Sequence, residues 1–373
     1  MKVVAAIDSF KGSMTSMEAG NAVKKGILAA KPDAEVWLSP LADGGEGTVD
    51  ALIEGLGAEK IPVTVAGPLG EKVSCYYGFL EETKTAVMEM ASAAGITLVT
   101  KKDPLRASTY GVGEMIADAL KHGCKNFMIG IGGSATNDGG IGMLKALGFE
   151  FFDEDGNDVG EGAAVLAKIT EIRTENKNPL LSGTKFQIAC DVKNPLCGKQ
   201  GATYIFGPQK GVTEEQKEQV DEAMRHYADV TKESLDCDFV DCEGAGAAGG
   251  LGYAFLSYLA GELIPGVELI LQATGLEEKM KNADVVVTGE GRLDEQTVMG
   301  KAPAGVAALA KKYNAKVIAF AGSVAPEAKV CNRAGIDAFF PIVRGVTTLE
   351  EAMKKENAME NIAATAEQVF RLL

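Results

Sequence analysis

Residues 1–13 read MKVVAAIDSFKGS, an apolar run from Val3 to Ile7 followed at once by a polar loop with one glycine. Five consecutive apolar residues are of strand length, and a run without alternation suits a strand buried on both faces. The next stretch, about 17–30, has helical spacing, so the chain opens with a βα unit. The pattern repeats with a strand at 34–38, the loop ADGGEGT at 42–48 and a helix at 49–55. Near the C-terminus, 283–288, 316–321 and 338–343 are three more such runs, separated by helical stretches at about 302–312 and 348–372. Together these predict an α/β fold, a doubly wound, mostly parallel Rossmann-like sheet covered by helices.

Between the two ends the pattern changes. Short alternating strands at 62–66, 73–78 and 85–90, with Gly-Pro and Gly-Glu turns, predict antiparallel pairing. A helix at 111–122, a strand, loop and helix across 125–148, a strand at 186–191, a polar helix at 213–233 and the small-residue stretch 244–252 follow. We therefore expect one domain from 1–66 and 275–373, with a second α/β domain of mixed and antiparallel strands, 67–274, inserted into it.

The 373 residues carry a net charge of −15, which repels nucleic acid and anionic membrane surfaces. No run approaches the length needed to span a bilayer. The N-terminal apolar stretch is too short for a signal peptide. Seven cysteines, odd in number and without a C-x-x-C pair, read as reduced thiols of a cytoplasmic protein. Only His122 and His226 are available, which argues against a zinc site, a Ser-His-Asp triad, and a nucleophilic role for Cys190.

In an open parallel sheet, ligands bind beyond the carboxyl ends of the strands. The loops leaving those ends, 8–13, 42–48, 289–301 and 322–323, contribute Asp8, Ser9, Lys11, Ser13, Asp43, Glu46, Thr48, Glu290, Arg292, Asp294, Thr297 and Lys301 among glycines. Singly, each charge is an ordinary solvated loop residue. At one rim, carboxylates beside cations suit Mg²⁺ with phosphate. Residues 129–140, IGIGGSATNDGG, lie between a strand and a helix, where free N–H groups and the helix dipole favour an anion. A structural turn is the competing reading. There is no G-x-x-x-x-G-K-[ST], and Gly244 to Gly249 matches G-x-G-x-x-G only in form, without a clear preceding strand.

The segments Ile7–Lys11, Ala42–Thr48, Gly130–Gly140, Cys190–Val192, Phe206–Gly211, Gly244–Gly250 and Thr288–Asp294 resemble, in order, those of the bacterial glycerate kinase family of the 2-kinase type. The resemblance spans essentially the whole chain. It implies ATP- and Mg²⁺-dependent phosphorylation of D-glycerate to 2-phosphoglycerate, on a two-domain α/β fold with the site in the cleft. Phosphoryl transfer needs a base, a metal and charge-offsetting cations. With that reaction in view, Asp191 is the expected base, Asp43 and Asp294 the metal ligands, and Lys11 and Arg292 the cations at the phosphoryl group or carboxylate. Asp8, Ser9, Gly132, Gly133, Ser134, Thr136, Asn137, Lys210, Glu290 and Lys301 complete the expected contacts to substrate and phosphate. A kinase of another small sugar acid, a 3-phosphate product and a non-catalytic solute-binding protein are the alternatives. Oligomeric state is not legible in the sequence.

Overall fold

The computed structural model describes residues 1–41 and 48–373, and among these residues thirteen strands lie between helices except where the third, fourth and fifth follow one another directly. In chain order they are β1 (Lys2–Ile7), β2 (Glu35–Pro40), β3 (Glu59–Ala66), β4 (Lys72–Leu80), β5 (Thr85–Glu89), β6 (Asn126–Gly130) and β7 (Glu150–Phe152). Then follow β8 (Glu171–Arg173), β9 (Lys185–Ala189), β10 (Glu262–Ile264), β11 (Val285–Leu293), β12 (Lys316–Val324) and β13 (Ala338–Pro341).

The chain divides into two compact units, one from residues 1–41, Asp50–Gly57 and Val267–Leu373, the other from Ala58–Gly266. The first carries a five-stranded, wholly parallel sheet in the order β13-β12-β11-β1-β2. Alternate residues of β1 point to opposite faces, and Val3 to Ile7 are all buried, so both faces must be covered. Val3, Ala5 and Ile7 join a core with the helices Ser16–Ala30 and Lys355–Leu372, while helix Ala302–Lys312 lies on β11 and β12. This is the expected doubly wound arrangement. The expected helix at 348–372 is two, Leu349–Met353 and Lys355–Leu372, interrupted by the extended ψ of 128° at Lys354.

Thr15 and Glu18 form a capping box that starts helix Ser16–Ala30. Ser16 Oγ donates to the Ile7 carbonyl at 2.6 Å and accepts from Leu41 N–H at 2.9 Å. One buried hydroxyl thus ties the end of β1 to the residue after β2.

The second unit holds a six-stranded sheet, β10-β9-β6-β5-β4-β3. β10, β9, β6 and β5 are parallel, and β5, β4 and β3 antiparallel, which matches the alternating pattern of the three short strands. β7 and β8 form a separate pair. The expected boundary after residue 66 placed β3 in the first domain, yet β3 pairs with β4 along its whole length. Antiparallel partners joined by a short turn stay together.

Candidate active site

Within the five-stranded sheet, taken in the unit's own sequence order, the strands run second, first, third, fourth, fifth. The order reverses between β1 and β11, and at such a switch point the loops diverge and leave a crevice at the carboxyl ends of the strands. A pocket of about 450 Å³ opens there, bringing together Asp8, Ser9, Lys11, Glu290, Arg292, Asp294 and Lys301. These are the residues with an expected role that belong to this unit and fall among the described residues.

The loop after β1 is short and stiff. Asp8 N–H donates to the Gly289 carbonyl at 2.9 Å, and Phe10 and Met14 exchange backbone bonds of 2.9 and 3.1 Å around a left-handed Gly12. Lys11 sits exposed in this turn. Glu290 and Arg292, expected in a loop, stand instead on β11, which runs on to Leu293 beside β12. The glycines that suggested a loop serve close approach: a Cβ on Gly322 would lie 2.6 Å from the Gly291 carbonyl oxygen.

Thr297 organises the carboxylates. Its Oγ1 accepts from Asp294 N–H at 3.2 Å and donates to Oε1 of the buried Glu290 at 2.7 Å. Asp294 in turn caps the single turn Glu295–Val298, accepting from Gln296 N–H at 3.0 Å. Lys301 Nζ stands 3.7 Å from Glu290 Oε2 and 3.9 Å from Asp294 Oδ1, and Arg292 Nε 3.5 Å from Asp294 Oδ2. At these separations the attraction is modest, and the cations stay close to the pocket without a tight bond to either carboxylate. Thr297 is among the polar residues expected at this rim but without an assigned role, although Asp-x-x-Thr is a capping-box spacing.

The remaining expected residues belong to the second unit. The loop after β6 has two halves. Gly132 and Gly133 are exposed, and a Cβ on Gly132 would meet nothing within 4 Å. Ser134 is buried, and Ala135 N–H donates to the Ala94 carbonyl at 2.9 Å. Thr136, Asn137 and Asp138 are wholly buried. The first two were expected to contact substrate or phosphate; they are buried because Gly249 lets the backbone of its segment approach, a Cβ there falling 2.2 Å from the Thr136 carbonyl oxygen. Asn137 Nδ2 donates to Thr203 Oγ1 at 3.1 Å.

Lys210, expected at phosphate, is also buried, and its Nζ donates to the Thr136 carbonyl at 2.6 Å. Burial pushes its pKa down to about 7, with Asp138 acting in the opposite sense. Asp138, not expected from sequence, accepts from Thr109 N–H and Oγ1, both at 2.8 Å, and from Gly140 and Gly142 N–H at 3.1 and 3.3 Å. Burial raises its pKa against the pull of these donors. The signal for it was a carboxylate just before the helix Ile141–Ala146. Asp191 lies exposed past the end of β9, and its Oδ1 accepts from Gly266 N–H at 2.8 Å.

Asp43 and Glu46 lie outside the described residues. Among the described residues no three His, Cys, Asp or Glu side chains gather as a metal-binding group, and no helix is long and apolar enough to cross a membrane.

The sequence profile of the Glycerate kinase family matches residues 3–373. The chain belongs to the glycerate kinase family. It is 46% identical over 371 residues to a glycerate kinase of Halalkalibacterium halodurans, with 98% of each chain covered. It is 45% identical over 372 residues to the glycerate 2-kinase of Escherichia coli, again with 98% of each chain covered. A crystal structure from Salmonella typhimurium LT2 assigned as a glycerate kinase 2 superposes with a TM-score of 0.91 at 43% identity, covering 99% of this chain and 97% of that one. In this glycerate kinase family member the switch-point pocket and the loop after β6 are thus both built on the family's fold.

Proposed function

We propose that this chain transfers the γ-phosphoryl group of ATP to D-glycerate, giving 2-phosphoglycerate. The observation that carries the reading is the switch-point pocket. It sets Lys11, Arg292 and Lys301 beside Asp8, Glu290 and Asp294 in a chain whose family match runs from residue 3 to 373. Catalysis of phosphoryl transfer is positioning and charge neutralisation. The three cations supply the second; Arg292 suits a carboxylate or phosphate through its planar fork.

The donor set fits Mg²⁺. A Mg²⁺ ion takes oxygen ligands, needs only one or two carboxylates, and completes its shell with water and substrate phosphates, so a three-residue cluster is not required. Asp294, with Asp43, would hold it, and bound there it would neutralise phosphate charge. Asp191 is the proposed base that takes the proton from the substrate hydroxyl, its carboxylate oriented by the Gly266 N–H. Gly132 and Gly133 are proposed as the backbone that meets an anion. Beside them Thr136 Oγ1 and Asn137 Oδ1 are buried and, among the described residues, lack a hydrogen-bond partner, as occurs where a water or ligand completes a network. Lys210 supports this loop from behind through the Thr136 carbonyl.

The test is ADP release from ATP on adding D-glycerate, with NMR of the product. Formation of 2-phosphoglycerate is expected. No turnover of D-glycerate, with turnover of another small acid, would reassign the substrate.

A further inference from the structure

The switch-point pocket has a second kind of wall. Beside the ionic residues it is lined by Phe10, Ile342, Val343, Leu349 and Met353. Leu349 is 76% exposed, Met353 38% and Val343 36%. Single exposed apolar residues are ordinary, but several on the wall of one concave site point to a ligand with an apolar face. The two walls adjoin: a Cβ placed on Gly12 would lie 3.0 Å from Met353 Cε, so the methionine methyl rests on the loop that carries Lys11.

The chemistry of the two substrates decides which one fits. D-glycerate bears oxygen on all three carbons and has no apolar face. Of the pair, only the purine base of ATP offers a flat apolar surface, and only ATP joins it to a chain of anions. The volume of about 450 Å³ also lies in the range of sites for larger ligands, roughly 300–1,000 Å³, and exceeds what a three-carbon acid fills. Resting on the kinase reading above, we infer that this pocket is the nucleotide site. The base lies against Val343, Leu349 and Met353, and the phosphates run toward Lys11, Arg292 and Lys301.

Calorimetry on the full chain tests this without any acid substrate, using ADP and inorganic tripolyphosphate as probes. Leu349→Ala and Met353→Ala remove apolar contact at exposed positions, so both variants should fold as wild type does, checked by melting temperature. Each should weaken ADP binding by roughly tenfold while leaving tripolyphosphate, which has no base, within about twofold. In steady-state assays the KM for ATP should rise and that for D-glycerate should not. Unchanged ADP affinity in both variants, equal weakening of ADP and tripolyphosphate, or no ADP binding by wild type would each overturn the assignment. Failure of the kinase reading looks different: ADP binding follows the expected pattern, yet D-glycerate elicits no ADP release from ATP.

Discussion

Lys210 Nζ donates to the Thr136 carbonyl at 2.6 Å, a bond from the end of one helix to a loop far away in sequence, formed where neither group meets water. The amine's pKa is down to about 7 from the usual 10.5 because of burial. Between these values the unfolded chain binds a proton that the folded chain has shed, so this group makes stability rise with pH from about 7 to 10.5. Below about 7 that contribution is gone. Urea unfolding across this range should show the rise in wild type and a smaller slope in Lys210→Met. An identical slope in both would show that the amine does not titrate there.

The exposed tip of the loop after β6 and the segment packed on its buried half should respond oppositely to an added methyl. Gly132→Ala places it in open space and should leave the melting temperature unchanged while raising KM for ATP or D-glycerate about tenfold, a loss of about 1.4 kcal/mol. Gly249→Ala forces a Cβ to 2.2 Å from the Thr136 oxygen at a φ of +68° and should destabilise by about 2 kcal/mol or more. If Gly132→Ala lowers the melting temperature and spares both KM values, the tip is only a turn.

Asp191→Asn keeps an oxygen to accept the Gly266 N–H, so stability should hold. Loss of a general base should cut kcat by roughly 10²-fold or more. A variant within about threefold of wild type would move the proton acceptor elsewhere.

Thr297 links Asp294 to Glu290 through one hydroxyl. Thr297→Val conserves shape but leaves a buried carboxylate short of a donor, a cost of about 1–3 kcal/mol, and kcat/KM should fall with it. Thr297→Ser should restore both. Failure of serine to rescue would trace the effect to packing of the methyl group.

Activity should vanish in excess EDTA and return with Mg²⁺, since a chain of charge −15 must hold a polyphosphate. Full turnover in the chelator would remove the metal from the proposed reaction.

What the sequence determined by itself was local. Unbroken apolar runs such as Val3 to Ile7 specify strands buried on both faces, alternating ones specify the antiparallel β3, β4 and β5, and the polar residues that follow the apolar runs at 3–7 and 283–288 mark the rim proposed to bind ligands. These follow from side-chain period and turn chemistry, which act over a few residues. The tertiary structure decided the rest. Pairing of β1 with β11 brings Asp8 and Lys11 into one pocket with Glu290 and Arg292, although about 280 residues separate them. The packing of residues 247–250 against the loop after β6 buries Thr136, Asn137 and Lys210 and leaves Gly132 and Gly133 outside. Burial depends on which distant segment closes over a residue, and no short stretch of sequence carries that information.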